Sequence, residues 1–143
     1  MKISTKGIYG LKAIVDLACY SVNEVVTIKS ICERQGLSER YLEQIFSLLR
    51  KNGIIVGRKG SQGGYTLAKK PKELTVYEIL TALEGELTCR PKVDVNNDLD
   101  DIISFSVWKV IDETTKKLLE EKNLEELVDE YNRNRTKQSM YYI

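Results

Sequence analysis

The most constraining feature of the chain is a helix stop and a helix start separated by one residue. Gly36 is a left-handed C-terminal stop for a helix that opens at the N-cap Thr27 and runs through Ile28, Ile31 and Cys32. Ser38 is the N-cap of the next helix, where Leu42, Ile45, Phe46 and Leu49 recur at i, i+3, i+4 and i+7. That helix ends at Asn52-Gly53. Two helices joined by so tight a glycine turn form the helix-turn-helix pattern. A preceding helix is expected over 5–20, from Ile8, Leu11, Ile14, Val15 and Ala18.

Ile54-Ile55-Val56 and Tyr65-Thr66-Leu67 flank a glycine-rich tip and read as a β-hairpin, which in this position is a wing. Thr75 and Glu78 form a capping box for a fourth helix through Ile79, Leu80 and Leu83. Residues 84–100 are polar and turn-rich and read as a loop. A long helix is expected across 101–121. Ile103, Val107, Val110, Ile111 and Leu118 lie near one of its faces, and Phe105 and Trp108 add an apolar flank. Such a helix needs two partners, its own domain and a second subunit. The expected dimer interface is therefore Ile103, Val107, Trp108, Val110, Ile111 and Leu118. Asn123 with Glu126 opens a short final helix around Leu124, Leu127 and Val128, before the tail Met140-Tyr141-Tyr142-Ile143. The expected fold is mainly α with a small β-hairpin wing. It divides into a winged helix-turn-helix DNA-binding domain over 1–83, then a loop, dimerisation helix and tail over 84–143.

Charge adds a direction. The net charge is only +1, but residues 1–72 hold 13 Lys/Arg against 5 Asp/Glu, a net of +8, while residues 73–143 carry −7. A basic half joined to an acidic half suggests a polyanion-binding module fused to something else. Histidine is absent, and the three cysteines are Cys19, Cys32 and Cys89. An odd, sparse cysteine count argues against a disulfide framework. Without histidine there is no Ser-His or Cys-His nucleophile pair and no common zinc ligand. Glu84 and Glu86 lack a converging partner set, so neither catalysis, a metal nor a cofactor is expected. No apolar run approaches the ~20 residues of a membrane span. Met1 to Gly7 lacks the apolar core of a signal peptide, so a cytoplasmic protein is expected.

On the third helix, Arg40, Gln44, Ser47 and Lys51 are spaced four, three and four residues apart, on the side opposite the apolar stripe. Arg and Gln make paired hydrogen bonds to guanine and adenine edges in the major groove. Ser38 and the free N–H groups beside it suit a phosphate, and Tyr41 on the shoulder is a further backbone donor. Arg58 and Lys59 precede the wing tip of Gly60, Gly63 and Gly64, with Tyr65 behind it. A thin cationic hairpin suits a narrow groove flanked by phosphates. A winged helix used only for protein interaction is the alternative, and it predicts little salt-sensitive DNA affinity.

Three blocks of sequence resemble the Rrf2 family of winged-helix regulators. They are Met1-Lys2-Ile3-Ser4-Thr5-Lys6-Gly7-Ile8-Tyr9-Gly10-Leu11, Leu37-Ser38-Glu39-Arg40-Tyr41-Leu42-Glu43-Gln44-Ile45 and Gly60-Ser61-Gln62-Gly63-Gly64-Tyr65-Thr66-Leu67. The resemblance implies a homodimer, paired through the long C-terminal helix, that represses by binding double-stranded operator DNA. In the wing, Lys59 stands where the family usually has Arg, so minor-groove insertion would shift to Arg58. Members that sense iron–sulfur status or nitric oxide carry three clustered cysteines where this chain has Cys89 alone. The short loop, Leu124-Glu125-Glu126-Leu127 and the tail are similar to the cluster-free branch that represses sulfur-uptake and cysteine-synthesis genes. That likeness implies O-acetylserine sulfhydrylase as a partner, docked on Met140, Tyr141, Tyr142 and the terminal Ile143. A strand or turn packing on the dimer is the other reading of the tail. Cys89, beside Arg90 and Lys92, is expected either to have a lowered pKa and act as an oxidation switch or to be an exposed cysteine of no consequence.

Overall fold

A computed structural model describes residues 1–60, 63–90 and 97–141. Helices α1 (Thr5–Tyr20), α2 (Ile28–Gln35) and α3 (Glu39–Lys51) precede a hairpin of β1 (Ile55–Arg58) and β2 (Gly64–Leu67). After a short 3-10 turn come α4 (Val76–Glu84), α5 (Asp98–Ile103), α6 (Lys109–Glu120) and α7 (Leu124–Tyr141). A π-helical turn, Ser104–Trp108, joins α5 to α6.

The local start signals act as their chemistry requires. Thr27 Oγ1 accepts from Ser30 N–H, and Ser38 Oγ from Tyr41 N–H. Gly36 takes φ +67°, a left-handed conformation that costs a glycine little. Thr75 accepts from Glu78 N–H, but the Glu78 carboxylate leaves the expected capping box and pairs with Lys69 at 2.7 Å.

The α3 stripe Leu42, Ile45, Phe46 and Leu49 is fully buried, with Ile14, Leu17, Ile31 and Ile79 around it. Each such side chain contributes about 1.5–3 kcal/mol relative to exposure. The expected phase of α1 was partly off: Ile8 is exposed, while Gly7 and Gly10 are buried. The reason is α4, which passes so close that an added Cβ would lie 2.4 Å from the Glu84 carboxylate at Gly7 and 2.5 Å from Leu83 at Gly10. Glu84 Oε1 accepts from Ser4 N–H, Ser4 Oγ and Gly7 N–H, and so closes the N-terminus of α1.

The C-terminal part departs most from expectation. The long helix begins at Asp98, inside the expected loop, where the Asn97 side chain caps it. The final helix is not short: α7 runs 18 residues, and the expected tail residues Met140 and Tyr141 belong to it. Tyr142 and Ile143 lie outside the described residues. The start of α7 is stitched to the loop before α4, with Leu124 N–H on Leu74 O at 2.8 Å and Val76 N–H on Lys122 O at 2.8 Å. Leu124 is fully buried in the same core as the α3 stripe. Farther along, Arg135 stacks over Tyr131 and donates to the Tyr20 hydroxyl, holding α7 to α1.

A buried carboxylate joins α1 to α2. Asp16 accepts from Arg34 Nε and Nη2 and from Gln35 Nε2, the last at 2.7 Å. Removing it leaves a half-buried guanidinium without its partner. Asp16→Ala is expected to cost about 2 kcal/mol in urea unfolding, with the m-value unchanged. A loss within about 0.5 kcal/mol, the range of an ordinary surface substitution, would show that the pair is not needed.

Candidate nucleic-acid interface

Helix α3 presents its polar side outward because its apolar stripe is consumed by the core. Arg40, Gln44 and Lys51 are exposed and Ser47 is half-buried. Arg40, Gln44 and Ser47 line a shallow groove with Lys6, Glu43 and Leu48. This groove shows what the sequence reading missed. Lys6 sits at the start of α1, more than thirty residues from Arg40, and no local pattern marks it as a neighbour. Glu43 adds an acid to this otherwise basic face. A carboxylate there repels phosphate but accepts from the exocyclic amine of cytosine.

Ser38 is exposed at the N-terminus of α3, where its Oγ already caps the helix. Tyr41 is half-buried: its hydroxyl pairs with Thr5 Oγ1 at 2.9 Å, and its ring meets Tyr9 edge-on at 5.9 Å. That contact ties the shoulder of α3 to the first turn of α1.

The wing is braced rather than free. β1 and β2 pair antiparallel from Ile55–Leu67 to Arg58–Gly64. Val26 adds two further bonds to Tyr65, at 2.8 and 3.0 Å, and so acts as a third edge. Gly64 makes this possible, since a Cβ there would lie 2.9 Å from Val26 O. The half-buried Tyr65 ring meets Phe46 of α3 edge-on at 5.0 Å, so it anchors the wing to α3. Arg58, Lys59 and Gly60 are exposed, and the Arg58 Nε donates to Thr66 across the hairpin at 3.2 Å. Gly63, with φ +48°, returns the chain toward β2, and residues 61 and 62 of the tip lie outside the described residues.

Away from this face, the helix from α5 to α6 carries a large uncovered apolar surface. Phe105, Leu118 and Val110 are 69%, 66% and 51% exposed, and Val107 and Ile111 are also open. Ile103 and Trp108 are half-buried.

Three comparisons with known proteins bear on this arrangement. A profile of the Rrf2 family, described as an iron-dependent transcriptional regulator, matches residues 3–130. The HTH-type transcriptional regulator CymR of Bacillus subtilis is 36% identical over 143 residues, covering all of both chains. The HTH-type transcriptional regulator IscR of Serratia proteamaculans is 35% identical over 132 residues, covering 90% of this chain and 80% of that one. The solved structure of CymR, the global cysteine regulator of B. subtilis, superposes with a TM-score of 0.78 at 33% identity. It covers 90% of this chain and 97% of the other.

Of the two readings of Cys89, the switch with a lowered pKa does not match its surroundings. Asp112 of α6 accepts from Thr88 Oγ1 at 2.7 Å and from Cys89 N–H at 2.8 Å, while Arg90 lies 3.6 Å away. These contacts, the Thr88 bond foremost, hold the Asp112 carboxyl below its ordinary range. Partial burial, and then the neighbouring Asp112 carboxylate, push the Cys89 thiol up rather than down. Arg90 is thus spent on Asp112, and the activation expected of a switch thiol is not built. Burial also raises Cys19 and Cys32. All three thiols should therefore alkylate with iodoacetamide more slowly at pH 7.5 in the folded chain than in urea, because less thiolate is present. Folded-state alkylation of Cys89 at or above the unfolded rate would restore the switch.

Proposed function

The chain belongs to the Rrf2 family of transcriptional regulators, and from that premise we propose that it is a homodimeric repressor of palindromic operators. The observation that carries this reading is the exposed row of Arg40, Gln44 and Ser47 on α3, set in one groove with Lys6. Arg40 and Gln44 have the chemistry to read base edges, while Lys6, Lys51 and Ser38 suit phosphates. Arg58 and Lys59 suit the adjacent minor groove.

The dimer rests on a different observation. A helix with Phe105, Val110 and Leu118 at least half exposed leaves an apolar face that a monomer does not cover. A second copy covers it by two-fold symmetry, and a two-fold protein reads two inverted half-sites. Among the described residues, no helix is long and apolar enough to cross a membrane.

The identity with CymR along the full length of both chains supports control of cysteine and sulfur genes. O-acetylserine sulfhydrylase is the corresponding partner, docked on the segment Met140 to Ile143. Deleting those four residues should abolish enzyme binding, whereas unchanged binding would remove the tail from the docking site.

Sequencing of genomic fragments retained by the protein, with and without the sulfhydrylase, tests the whole reading. Inverted repeats upstream of sulfur genes are expected, enriched further by the enzyme. Retention near iron–sulfur genes instead would move the chain toward IscR-like control. Arg40→Ala and Gln44→Ala should each cost about 1–3 kcal/mol and relax preference at a particular base pair. Lys51→Ala should weaken all sequences alike and make the salt dependence shallower. An unaltered base preference in both Arg40→Ala and Gln44→Ala would sink the base-reading assignment. In sedimentation, Val110→Glu should shift the protein from dimer to monomer, and a persistent dimer would place the interface elsewhere.

A further inference from the structure

Between the helix-turn-helix and the C-terminal helix lies a cleft that DNA binding does not use. It encloses about 310 Å³ and is lined by Lys12, Val15 and Asp16 of α1, Gln35 of α2, and Leu127 and Tyr131 of α7. This is the small end of the range for small-molecule sites, about 300–1,000 Å³. Val15, Leu127 and Tyr131 supply apolar walls. The polar groups gather on the α1–α2 side, and they are not equally available.

The Asp16 carboxylate is saturated by Arg34 and Gln35, so it offers no acceptor to a ligand cation. The Gln35 side-chain amide gives one N–H to the same contact, which fixes its orientation. Lys12 is different. Its Nζ reaches only the main-chain oxygen of Gln35, at 3.3 Å, and no carboxylate among the described residues pairs with it. An ammonium has three donors, so at least one remains for a guest. Arg135, stacked 4.5 Å over the Tyr131 ring, has among the described residues the neutral partners Tyr20 and Asn132, and no described residue accepts from its buried Nε. Asp16 being matched by Arg34, Lys12 is the cation of the cleft lining that no salt bridge among the described residues engages.

We propose that the cleft binds a small organic monocarboxylate, with its carboxylate on Lys12 and an apolar body the size of a benzoate ring against Val15, Leu127 and Tyr131. The occupied cleft tightens DNA binding, a consequence that rests on the repressor reading above. The argument for coupling is positional. Gln35 is the residue before the Gly36 turn, so a ligand braced between α7 and Gln35 restrains the turn that aims α3. Restraint placed there in advance lowers the ordering cost of docking on DNA.

Titration of benzoate into the full-length ¹⁵N-labelled protein, without DNA, tests the site. Shifts should cluster at Lys12, Val15, Gln35, Leu127 and Tyr131, and uncharged benzamide should bind about tenfold more weakly. Lys12→Met should lose about as much affinity as removing the ligand's charge, roughly tenfold. Leu127→Trp should fill the cleft and abolish binding, and neither variant touches the buried core. Scattered shifts, equal benzamide affinity or undiminished binding by Leu127→Trp would overturn the site. Saturating benzoate should then raise operator affinity severalfold in the native chain and not in Leu127→Trp, and an unchanged affinity overturns the coupling. Benzoate binding in a protein that retains no DNA would fail the repressor reading alone.

Discussion

The Asp16 carboxylate is 1% exposed, and its donors come from the last two residues of α2. Burying a carboxylate costs several kcal/mol unless its oxygens are saturated, so these contacts leave α2 little freedom. The end of α2 is pinned to the middle of α1, Gly36 reverses the chain, and α3 begins at Glu39. The fully buried stripe of α3 then fixes its rotation about its own axis. Between them, one polar contact and one apolar stripe decide where Arg40 and Gln44 point. The Tyr41–Thr5 bond closes the same arrangement at the first turn of α1, which is how Lys6 comes to share a groove with residues of α3.

The wing depends on α3 in turn. Two strands of four residues are marginal alone in water. Here Val26 extends the hydrogen-bonded edge, and Tyr65 sets its ring against Phe46, a member of the buried stripe. Helix α3 and the wing therefore share one support, and Arg58 and Lys59 keep a fixed offset from Arg40 and Gln44. A freely hinged wing would have to be ordered on every encounter with DNA, at an entropic cost that this packing has already met.

Features written within a few residues of each other were legible in the sequence. Thr27, Gly36 and Ser38 act through bonds to atoms at most four positions away, and the α3 stripe is periodic enough to stand alone. The parts that escaped are those set by distant partners. Asp16 interrupts an apolar face, and only the arrival of Arg34 and Gln35 makes it a core residue. Ile8 looked buried because nothing in α1 announces that α4 crosses at Gly7 and Gly10. Apolar periodicity fades after Val128, so the spacing predicts only a short final helix. Its continuation is held by Tyr131 and Arg135 stacking toward Tyr20, a contact spanning more than a hundred residues of sequence. The lowered thiol pKa expected for Cys89 rested on Arg90 as a neighbour, and Asp112, twenty-three residues away, takes that charge first.

The π turn at Ser104–Trp108 bears on the apolar surface that follows it. A π turn holds an extra residue relative to the α-helix, so side chains before and after it lose their common phase. Ile102, Phe105, Val110 and Leu118 are all more than half exposed, so the continuous helix from α5 to α6 is apolar and uncovered on both sides of the turn. Within the chain, α6 packs on α4 with its other side, which leaves these side chains uncovered. In the proposed dimer a second copy of the same helix meets that need by symmetry, and the charge distribution suits the result. There the acidic C-terminal halves, net −7 each, would lie at the centre and the basic halves, net +8 each, would face outward. Joining two subunits in this way places the cations on the DNA side and keeps the carboxylates away from the phosphates, so in the proposed dimer the contact that pairs the subunits also orients the field that draws them to DNA.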